Sequence, residues 1–136
     1  MTYERVIQIE FNHCDPAGIV FYPRYFEMTN SVVENFFGQA MGRPFAKMHV
    51  EDRNGVPVVK IDAEFVAPSR LGDLVDFGLW IEEIGRASMT LRIEGRSGDE
   101  LRLRVRLKVV WIHNLRAVPW PDDLRAQLLA YQESQQ

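Results

Sequence analysis

Residues 11–30 have the sequence FNHCDPAGIVFYPRYFEMTN, and this segment decides the fold. It places a tight turn, DPAG at residues 15–18, between two different hydrophobic periods. Before the turn, apolar and polar residues alternate over residues 3–11, which is the period of a half-buried strand. After the turn, apolar residues recur at spacings typical of a helix, with Pro23 in its first turn and Gly38 at its C-terminal end. The sequence therefore predicts a strand, a turn and a long helix that buries one face.

Most of the remaining chain follows the two-residue period of β-strands. Four segments alternate in this way, separated by turn signals such as APSRLGD and RSGDE: Val59–Phe65, Val75–Ile81, Ala87–Ile93 and Leu101–Trp111. A helical turn is expected at Phe45–Val50 before the turn DRNG, and PWPDDLRAQLLAYQ predicts a C-terminal helix with an acidic first turn. Consecutive strands favour antiparallel pairing, and the striped helix must bury its face against their sheet. We therefore predict an α+β fold.

Length and composition restrict the class of protein. A chain of 136 residues is the size of one ordinary domain, so we assign residues 1–136 to one domain. The formal net charge of -3 argues against a nucleic-acid partner, because such proteins usually carry a basic excess. Cys14 is the one cysteine, which excludes an intrachain disulfide and favours a reducing compartment. The N-terminal residues have no apolar core of a signal peptide and no apolar run has membrane-spanning length, so we expect a cytoplasmic protein without a membrane partner.

The element order and the motif HCDPAGIVFYPRY closely resemble the 4-hydroxybenzoyl-CoA thioesterase family. Asp15, Gly18, Tyr22 and Tyr25 stand together at the spacing of that family, just before its central helix. The segment GVPVVKIDAEFVAPSRLGDLV is also similar, although hotdog proteins share it more loosely. The resemblance implies a hotdog fold, in which an antiparallel sheet wraps around one long central helix, and it implies an acyl-CoA thioesterase.

The turn at Asp15 has both a structural and a catalytic interpretation. An aspartate before Pro-Ala-Gly commonly caps nearby backbone amides. It is also ionised at neutral pH, and a positioned carboxylate can attack a thioester carbonyl or activate a water molecule. The resemblance implies the catalytic role for Asp15, either as nucleophile or as general base. N–H groups at a helix start suit a developing oxyanion, and the resemblance gives this role to the backbone N–H of Tyr22.

The resemblance also implies where the rest of the substrate binds. It places substrate contacts at five positions: Gly18, Val20, Pro23, Val58 and Val59. It places the phosphates of coenzyme A near the turn IGRASM, where Arg86 is basic while Gly85 and Ala87 depart from the family pattern. A second basic group, formed by Arg102, Arg104, Arg106 and Lys108, is either a solvated strand face paired with Glu82 or Glu94, or a phosphate contact.

Other reactive side chains have simpler explanations. Cys14 is expected to be a small packed residue, because adjacent strand residues point to opposite faces and cannot easily share a proton with His13. His13 is either a neighbour of Asp15 or a structural hydrogen-bonding group. His49 and His113 lack companions at metal-ligand spacing, so we expect no metal and no cofactor, with coenzyme A belonging to the substrate.

These arguments favour a thioesterase that hydrolyses an acyl- or aroyl-CoA, such as a 4-hydroxybenzoyl-CoA-like thioester, to the free acid and coenzyme A. A short-chain or general acyl-CoA thioesterase is the nearest alternative. A hotdog dehydratase using His13 with Glu27 or Glu34, and a non-catalytic acyl-CoA binding module, are further alternatives. The resemblance also implies a homo-oligomer, either a dimer or a homotetramer built as a dimer of dimers, with sites between subunits.

Overall fold

The structure is a computed structural model that describes residues 2–136. The α-helices are α1 (Tyr22–Asn35) and α2 (Asp122–Ser134), and shorter helical turns occur at Phe11–His13, Phe36–Ala40 and Ala46–Glu51. The strands are β1 (Tyr3–Gln8), β2 (Asn54–Gly55), β3 (Val58–Phe65), β4 (Leu74–Ile84), β5 (Ser88–Ser97), β6 (Glu100–Val110), β7 (Ile112–His113) and β8 (Arg116–Ala117). No helix in residues 2–136 is long and apolar enough to cross a membrane.

Five strands form one antiparallel sheet in the order β1-β4-β5-β6-β3. The apolar stripe of α1 is buried and belongs to the same core cluster as the inward-facing residues of the three central strands. Those strand residues include Phe77, Leu79, Leu91, Ile93, Val105 and Leu107. Helix α2 contributes its buried Leu124 and Leu128 to the same cluster. The predicted α+β architecture is therefore confirmed.

Two predicted element ends are wrong. Strand β1 stops at Gln8, and Phe11 lies in a short helical turn with 85% of its surface exposed, because the chain must bend there toward the DPAG turn. The long helix does not end at Gly38. It continues through the turn Phe36–Ala40, and the left-handed residue beyond it is Gly42, with φ of 69°. Gly42 is therefore the glycine at the position that typically ends a helix.

A second small sheet was not predicted. Its order is β2-β7-β8, and it uses Asn54 and Gly55, which the sequence suggested to be part of a turn. The last long strand accordingly ends at Val110 rather than Trp111, and the chain folds back at Asn114 and Leu115. Strands of two residues are too short to show a hydrophobic period, so this sheet left no signal in the sequence.

Strand β3 lies at the edge of the main sheet, and its apolar face is less buried than the alternation suggested. Ile61 is 41% exposed and Phe65 is 47% exposed. The N–H of Val66 donates to the Arg102 carbonyl, so Val66 and Arg102 are a hydrogen-bonded pair next to the β3–β6 ladder. Hydrogen-bonded pairs recur at every second residue of an antiparallel ladder, so the backbone groups of residues 60, 62 and 64 also bond to β6. The backbone groups of Ile61, Ala63 and Phe65 therefore point away from the sheet, toward an open edge.

The strand register shows which residues lie at the same end of the main sheet. One end holds Gln8, Leu74 and Phe65, and the segment that carries Asp15 is attached there. The other end holds the start of β3 at Val58 and the β4–β5 turn. An eight-residue strand spans roughly 23 Å, so the two ends of one chain are well separated.

Candidate active site

Asp15 lies at the tip of a tight turn that precedes α1. One carboxylate oxygen, Oδ1, accepts a hydrogen bond of 2.9 Å from the N–H of Ala17, and the Asp15 carbonyl accepts one of 2.9 Å from Gly18. Gly18 has φ of 82°, a left-handed conformation that favours glycine. The other carboxylate oxygen accepts no hydrogen bond from residues 2–136. Asp15 therefore combines the predicted capping geometry with one uncommitted oxygen.

The turn is closed by short antiparallel pairing on its two sides. The N–H of Asp15 donates to Ile19 at 3.1 Å, and the N–H of Phe21 donates to His13 at 2.9 Å. Cys14 and Val20 form an isolated β-bridge between these bonds. The position of Asp15 relative to the start of α1 is thus set by backbone hydrogen bonds.

The first turn of α1 offers one free backbone donor near this turn. Tyr22 is the first helical residue, and its N–H has no acceptor among residues 2–136. Pro23 has no N–H, and the N–H of Arg24 already donates to Phe21 at 2.8 Å. The sequence suggested several free amides here; among Tyr22, Pro23 and Arg24, the structure leaves the N–H of Tyr22 without an acceptor in residues 2–136.

The loop Ala67–Asp73 holds both ends of the segment that carries Asp15. Upstream of the turn, Ile9 exchanges backbone hydrogen bonds with the loop, donating to Asp73 at 2.8 Å and accepting from Gly72 at 2.8 Å. Downstream, the N–H of Val20 donates to Ser69 at 2.9 Å. The conformation of this loop therefore determines where residues 9–20 lie.

Arg102 organises that loop from β6. Its side chain is 12% exposed, and its Nη1 donates to the Pro68 carbonyl at 3.1 Å, to Ser69 Oγ at 3.0 Å and to Asp73 Oδ2 at 2.8 Å. The hydrogen bond from Arg102 lowers the pKa of Asp73, and the same bond raises the pKa of Arg102. The solvated-face interpretation is wrong for Arg102, which is a largely buried cross-link between β6 and the loop.

The other strand arginines do form a paired face, on the side of the sheet away from α1. Arg106 donates to Glu82 at 2.6 Å, and Arg104 donates to Glu94 at 3.0 Å. Glu94 is 7% exposed; burial acts to raise its pKa, but hydrogen bonds from Arg104, Arg92 and Arg96 outweigh it and lower the pKa overall. Structural ion pairs thus occupy Arg104 and Arg106.

One cavity lies at each end of the edge strand β3. The first, here called the Phe65 cavity, has a volume of about 540 Å³ and lies beside the start of α1; it is lined by Ile19, Val20, Tyr22, Tyr25, Phe65, Val66, Ala67 and Pro68. The second, the Arg53 cavity, has a volume of about 710 Å³ and lies at the start of β3; it is lined by Asn30, Phe45, His49, Arg53, Asn54, Gly55, Val56, Pro57, Val58, Ile112, Asn114 and Leu115. Both volumes are in the range of small-molecule sites.

The predicted substrate contacts divide between these cavities. Val20 and the Tyr22 side chain line the Phe65 cavity, whereas Val58 lines the Arg53 cavity. Gly18, Pro23 and Val59 line neither of the two. Within one chain, the predicted set is therefore not brought together, because Val58 and Val59 begin β3 while Asp15 lies near its other end.

Arg86 is exposed in the β4–β5 turn, at the end of the sheet away from Asp15. Its neighbour Gly85 accepts a hydrogen bond of 2.7 Å from Nη1 of Arg125 in α2. Arg125 thus adds a second cation to a turn whose own sequence has one.

His13, His113 and Cys14 have structural environments. Nδ1 of His13 accepts the N–H of Glu10 at 2.8 Å, and Cys14 packs against the core cluster. Nδ1 of His113 lies 2.8 Å from Asn54 Oδ1. We find no group of three or more His, Cys, Asp or Glu side chains in residues 2–136 that is arranged to hold a metal ion. Glu27 pairs with Arg24 at 3.0 Å, and within residues 2–136 the His13 side chain forms no hydrogen bond or ion pair with Glu27 or Glu34, so the dehydratase pairing gains no support.

Sequence reasoning missed two sets of residues. Ser69 and Asp73 lie in a loop that resembled an ordinary connection, and Arg102 looked like its exposed neighbours in β6. Arg53 stood in a predicted turn. The pair Gly72-Asp73 marks a turn, but nothing in the sequence indicates that Asp73 accepts a hydrogen bond from a residue far along the chain.

Comparison with known proteins identifies the family. The family model described as Thioesterase superfamily matches residues 17–104. The chain belongs to the thioesterase superfamily. It is 30% identical to the 4-hydroxybenzoyl-CoA thioesterase of Pseudomonas sp. strain CBS-3, over 85% of this chain and 89% of that protein. The predicted family is therefore confirmed, and with it the prediction that this thioesterase-family chain is an enzyme.

Solved thioesterase structures have the same fold. The Pseudomonas 4-hydroxybenzoyl-CoA thioesterase superposes with a TM-score of 0.84 and 29% identity, covering 93% of this chain and 98% of that one. An aspartate-to-asparagine variant of 4-hydroxybenzoyl-CoA thioesterase complexed with 4-hydroxybenzoyl-CoA gives a TM-score of 0.85 at 28% identity, with the same coverage. A gentisyl-coenzyme A thioesterase gives a TM-score of 0.86 at 25% identity, covering 93% and 99%. The hotdog fold of this thioesterase is thus confirmed.

Proposed function

We propose that this thioesterase hydrolyses an acyl- or aroyl-coenzyme A to the free acid and coenzyme A. The observation that carries the proposal is that an uncommitted carboxylate oxygen of Asp15 and the free N–H of Tyr22 occur together in the turn that leads into α1. The relatives that act on 4-hydroxybenzoyl-CoA and gentisyl-coenzyme A support a coenzyme A thioester with an aromatic acyl group. Water is the second substrate.

In the proposed reaction, Asp15 supplies the electron pair or accepts the proton. As nucleophile, its oxygen bonds to the thioester carbon, the C–S bond breaks and coenzyme A leaves as thiolate; water then hydrolyses the mixed anhydride. As general base, Asp15 takes a proton from water while the water oxygen bonds to the same carbon, and the C–S bond breaks afterwards. In both routes the N–H of Tyr22 donates to the oxygen that becomes negative.

Isotope labelling tests the covalent route. In a single turnover in H₂¹⁸O, label that enters the Asp15 carboxylate requires a covalent anhydride. Label confined to the product acid is the result expected for the general-base route, and an anhydride that water opens at its acyl carbon gives the same result.

We further propose that two chains pair along β3 to complete the site. An open edge with outward backbone groups at Ile61, Ala63 and Phe65 can extend the sheet into a second copy. Two-fold antiparallel pairing would place the start of β3 in one subunit beside the end of β3 in the other. The Arg53 cavity of one subunit would then adjoin the Phe65 cavity of the other, which accounts for the separation of Val58 and Val59 from Asp15 within one chain.

A panel of acyl-CoA thioesters tests the proposal by release of free thiol. We expect release with one or more members of the panel, which should contain benzoyl, hydroxybenzoyl and short aliphatic thioesters, and we expect the rate to fall steeply in Asp15→Asn. Interconversion of 3-hydroxyacyl and enoyl thioesters without thiol release would instead indicate a dehydratase. Binding without either reaction would indicate a binding module.

A further inference from the structure

The backbone strain of the described chain is concentrated at one cavity. Among residues 2–136, the non-glycine residues with positive φ are Arg53 at 55°, Asn114 at 49° and Leu115 at 65°. All three line the Arg53 cavity. Asparagine tolerates the left-handed region, but arginine and leucine rarely adopt it. Such residues cluster at functional sites, where the surrounding structure holds them in place.

The small sheet supplies that support. The N–H of Asn114 donates to the Arg53 carbonyl at 3.0 Å, which joins the two strained segments directly. Asn54 pairs with His113 in the β2–β7 ladder, and their side chains also lie 2.8 Å apart. The cavity wall is therefore a connected unit that carries both Arg53 and Leu115.

The charges that line the cavity favour an anion. Arg53 and His49 are its basic residues, and none of its lining residues is Asp or Glu. The nearby Asp52 pairs with Lys47 at 3.4 Å, while Arg53 has no ion pair with any residue in the described range 2–136. A guanidinium without a carboxylate partner in the lining of a cavity is suited to bind phosphate or carboxylate oxygens.

Much of the remaining lining is apolar, although Asn30, Asn54 and Asn114 also contribute to it. Phe45, Val56, Val58 and Ile112 contribute to its lining, and Leu115 is 90% exposed at φ of 65°. An exposed leucine side chain has no hydrophobic stabilisation in water. It would gain that stabilisation by covering the apolar part of a bound molecule. The cavity thus combines one unpaired cation with an apolar surface, which fits a ligand that is apolar along its length and anionic at one point.

We propose that the Arg53 cavity binds the anionic part of the thioester substrate, with Arg53 as its cation and Leu115 against the adjoining apolar part. This inference rests on the proposed function. The anionic group has two sources: the phosphates of coenzyme A, or a carboxylate carried by the acyl group. The experiment below separates them.

The first test compares Arg53→Gln with Arg116→Gln. Arg116 is an exposed arginine of the same small sheet that does not line the cavity, so it controls for a general loss of positive charge. Arg53→Gln should raise KM for the acyl-CoA about 10-fold, the size of one charge-assisted hydrogen bond, with little change in kcat. Arg116→Gln should leave both constants near wild type.

Substrate variation identifies the anion. If Arg53 binds the phosphates, the KM effect should disappear with an acyl-pantetheine thioester, and free coenzyme A should bind more weakly to Arg53→Gln by calorimetry. If Arg53 binds an acyl carboxylate, the effect should persist with the pantetheine thioester of a dicarboxylic acid and vanish with a neutral acyl group. Unchanged KM for all of these thioesters, together with unchanged coenzyme A binding, would overturn the proposal.

Leu115→Gly gives an independent test. Glycine adopts positive φ without cost from a side chain, so the variant should be at least as stable to heat as the wild type. It should nevertheless show a higher KM, because the apolar cover of the ligand is lost. A Leu115→Gly protein with wild-type KM would contradict the role of Leu115.

Failure of the wild type to hydrolyse any thioester would refute the proposed function, whereas coenzyme A calorimetry on Arg53→Gln would still test phosphate binding in the cavity.

Discussion

Arg102 donates to Asp73 across 2.8 Å, and this ion pair connects the central sheet to the loop that holds Asp15. The loop fastens Ile9 on one side of the Asp15 turn and Val20 on the other. The Arg102 side chain is largely buried, and the same nitrogen also holds Ser69. The pair therefore acts on the position of Asp15 through the backbone, and we regard Arg102 as a positioning residue.

Replacing Asp73 by Asn should destabilise the protein in a pH-dependent manner. The variant should lose about 2 kcal/mol of unfolding free energy at pH 7, the magnitude of a hydrogen bond to a charged group. Because Arg102 lowers the pKa of folded Asp73, its contribution is complete above the unfolded pKa near 3.8 and is lost as the pH falls through the lower folded pKa. Urea unfolding at pH 7 and in stronger acid measures this difference.

Activity distinguishes positioning from a merely stabilising role. In Asp73→Asn, kcat should fall more than in Arg106→Gln, which removes an ion pair on the outer sheet face away from the loop. Hydrogen exchange at the Val20 amide should also accelerate, while central-strand amides stay protected. Equal kcat in the two variants and an unchanged Val20 amide would show that the pair only stabilises the fold.

Replacing Asp15 by Asn should remove turnover while preserving the fold. The Asn side-chain oxygen can still accept the N–H of Ala17, so the turn should persist, but the charge is gone. We expect kcat to fall by about two to four orders of magnitude. Thiol release and circular dichroism check the two parts of this prediction, and near-wild-type turnover in the folded variant would exclude a catalytic Asp15.

Cys14 should be replaceable by Ala. It packs against the core and forms a backbone bridge with Val20 that does not involve its side chain, so the variant should lose a modest amount of stability, about 1 kcal/mol, and keep most of its activity. Thermal unfolding and thiol release measure the two effects. A folded but inactive Cys14→Ala protein would favour a cysteine nucleophile instead.

Much of the fold could be predicted from the sequence because long periodic segments carry a strong signal. The alternation in β4, β5 and β6 and the stripe of α1 each extend over three or more repeats. The small sheet at Asn54–Gly55 has no period to detect. The exposure of Phe65 also could not be predicted, since the same alternation describes a central strand and an edge strand.

The candidate site was predictable where residues are adjacent in sequence. The turn at Asp15 and the start of α1 follow each other directly, so the motif defines them together. The bond from Arg102 to Asp73 and the cluster of Arg53 with Leu115 depend on long-range pairing, which a single sequence does not reveal. The division of the predicted substrate contacts between two cavities also results from long-range strand pairing, so a single sequence does not reveal it.

Replacing Ala63 by Pro should prevent pairing of two chains along β3. The N–H of Ala63 points away from β6, so its loss should leave the ladder within the chain intact. Light scattering should show a smaller species than the wild type, and activity should fall because the composite site is lost. Ala63→Ser keeps the N–H and is the matched control. An unchanged mass for Ala63→Pro would place the subunit contact elsewhere.

Replacing Arg86 by Ala tests the predicted contact with the coenzyme A phosphates. These phosphates are far from the thioester, so a cation that binds them should contribute equally to the ground state and the transition state. KM for the acyl-CoA should therefore rise, by up to about 10-fold, while kcat changes little and a pantetheine thioester is unaffected. Wild-type KM should also increase with salt, because exposed charges are screened over about 10 Å at 0.1 M. An unchanged KM in Arg86→Ala, with a raised KM in Arg104→Ala or Arg106→Ala, would place the phosphates on the outer face of the sheet.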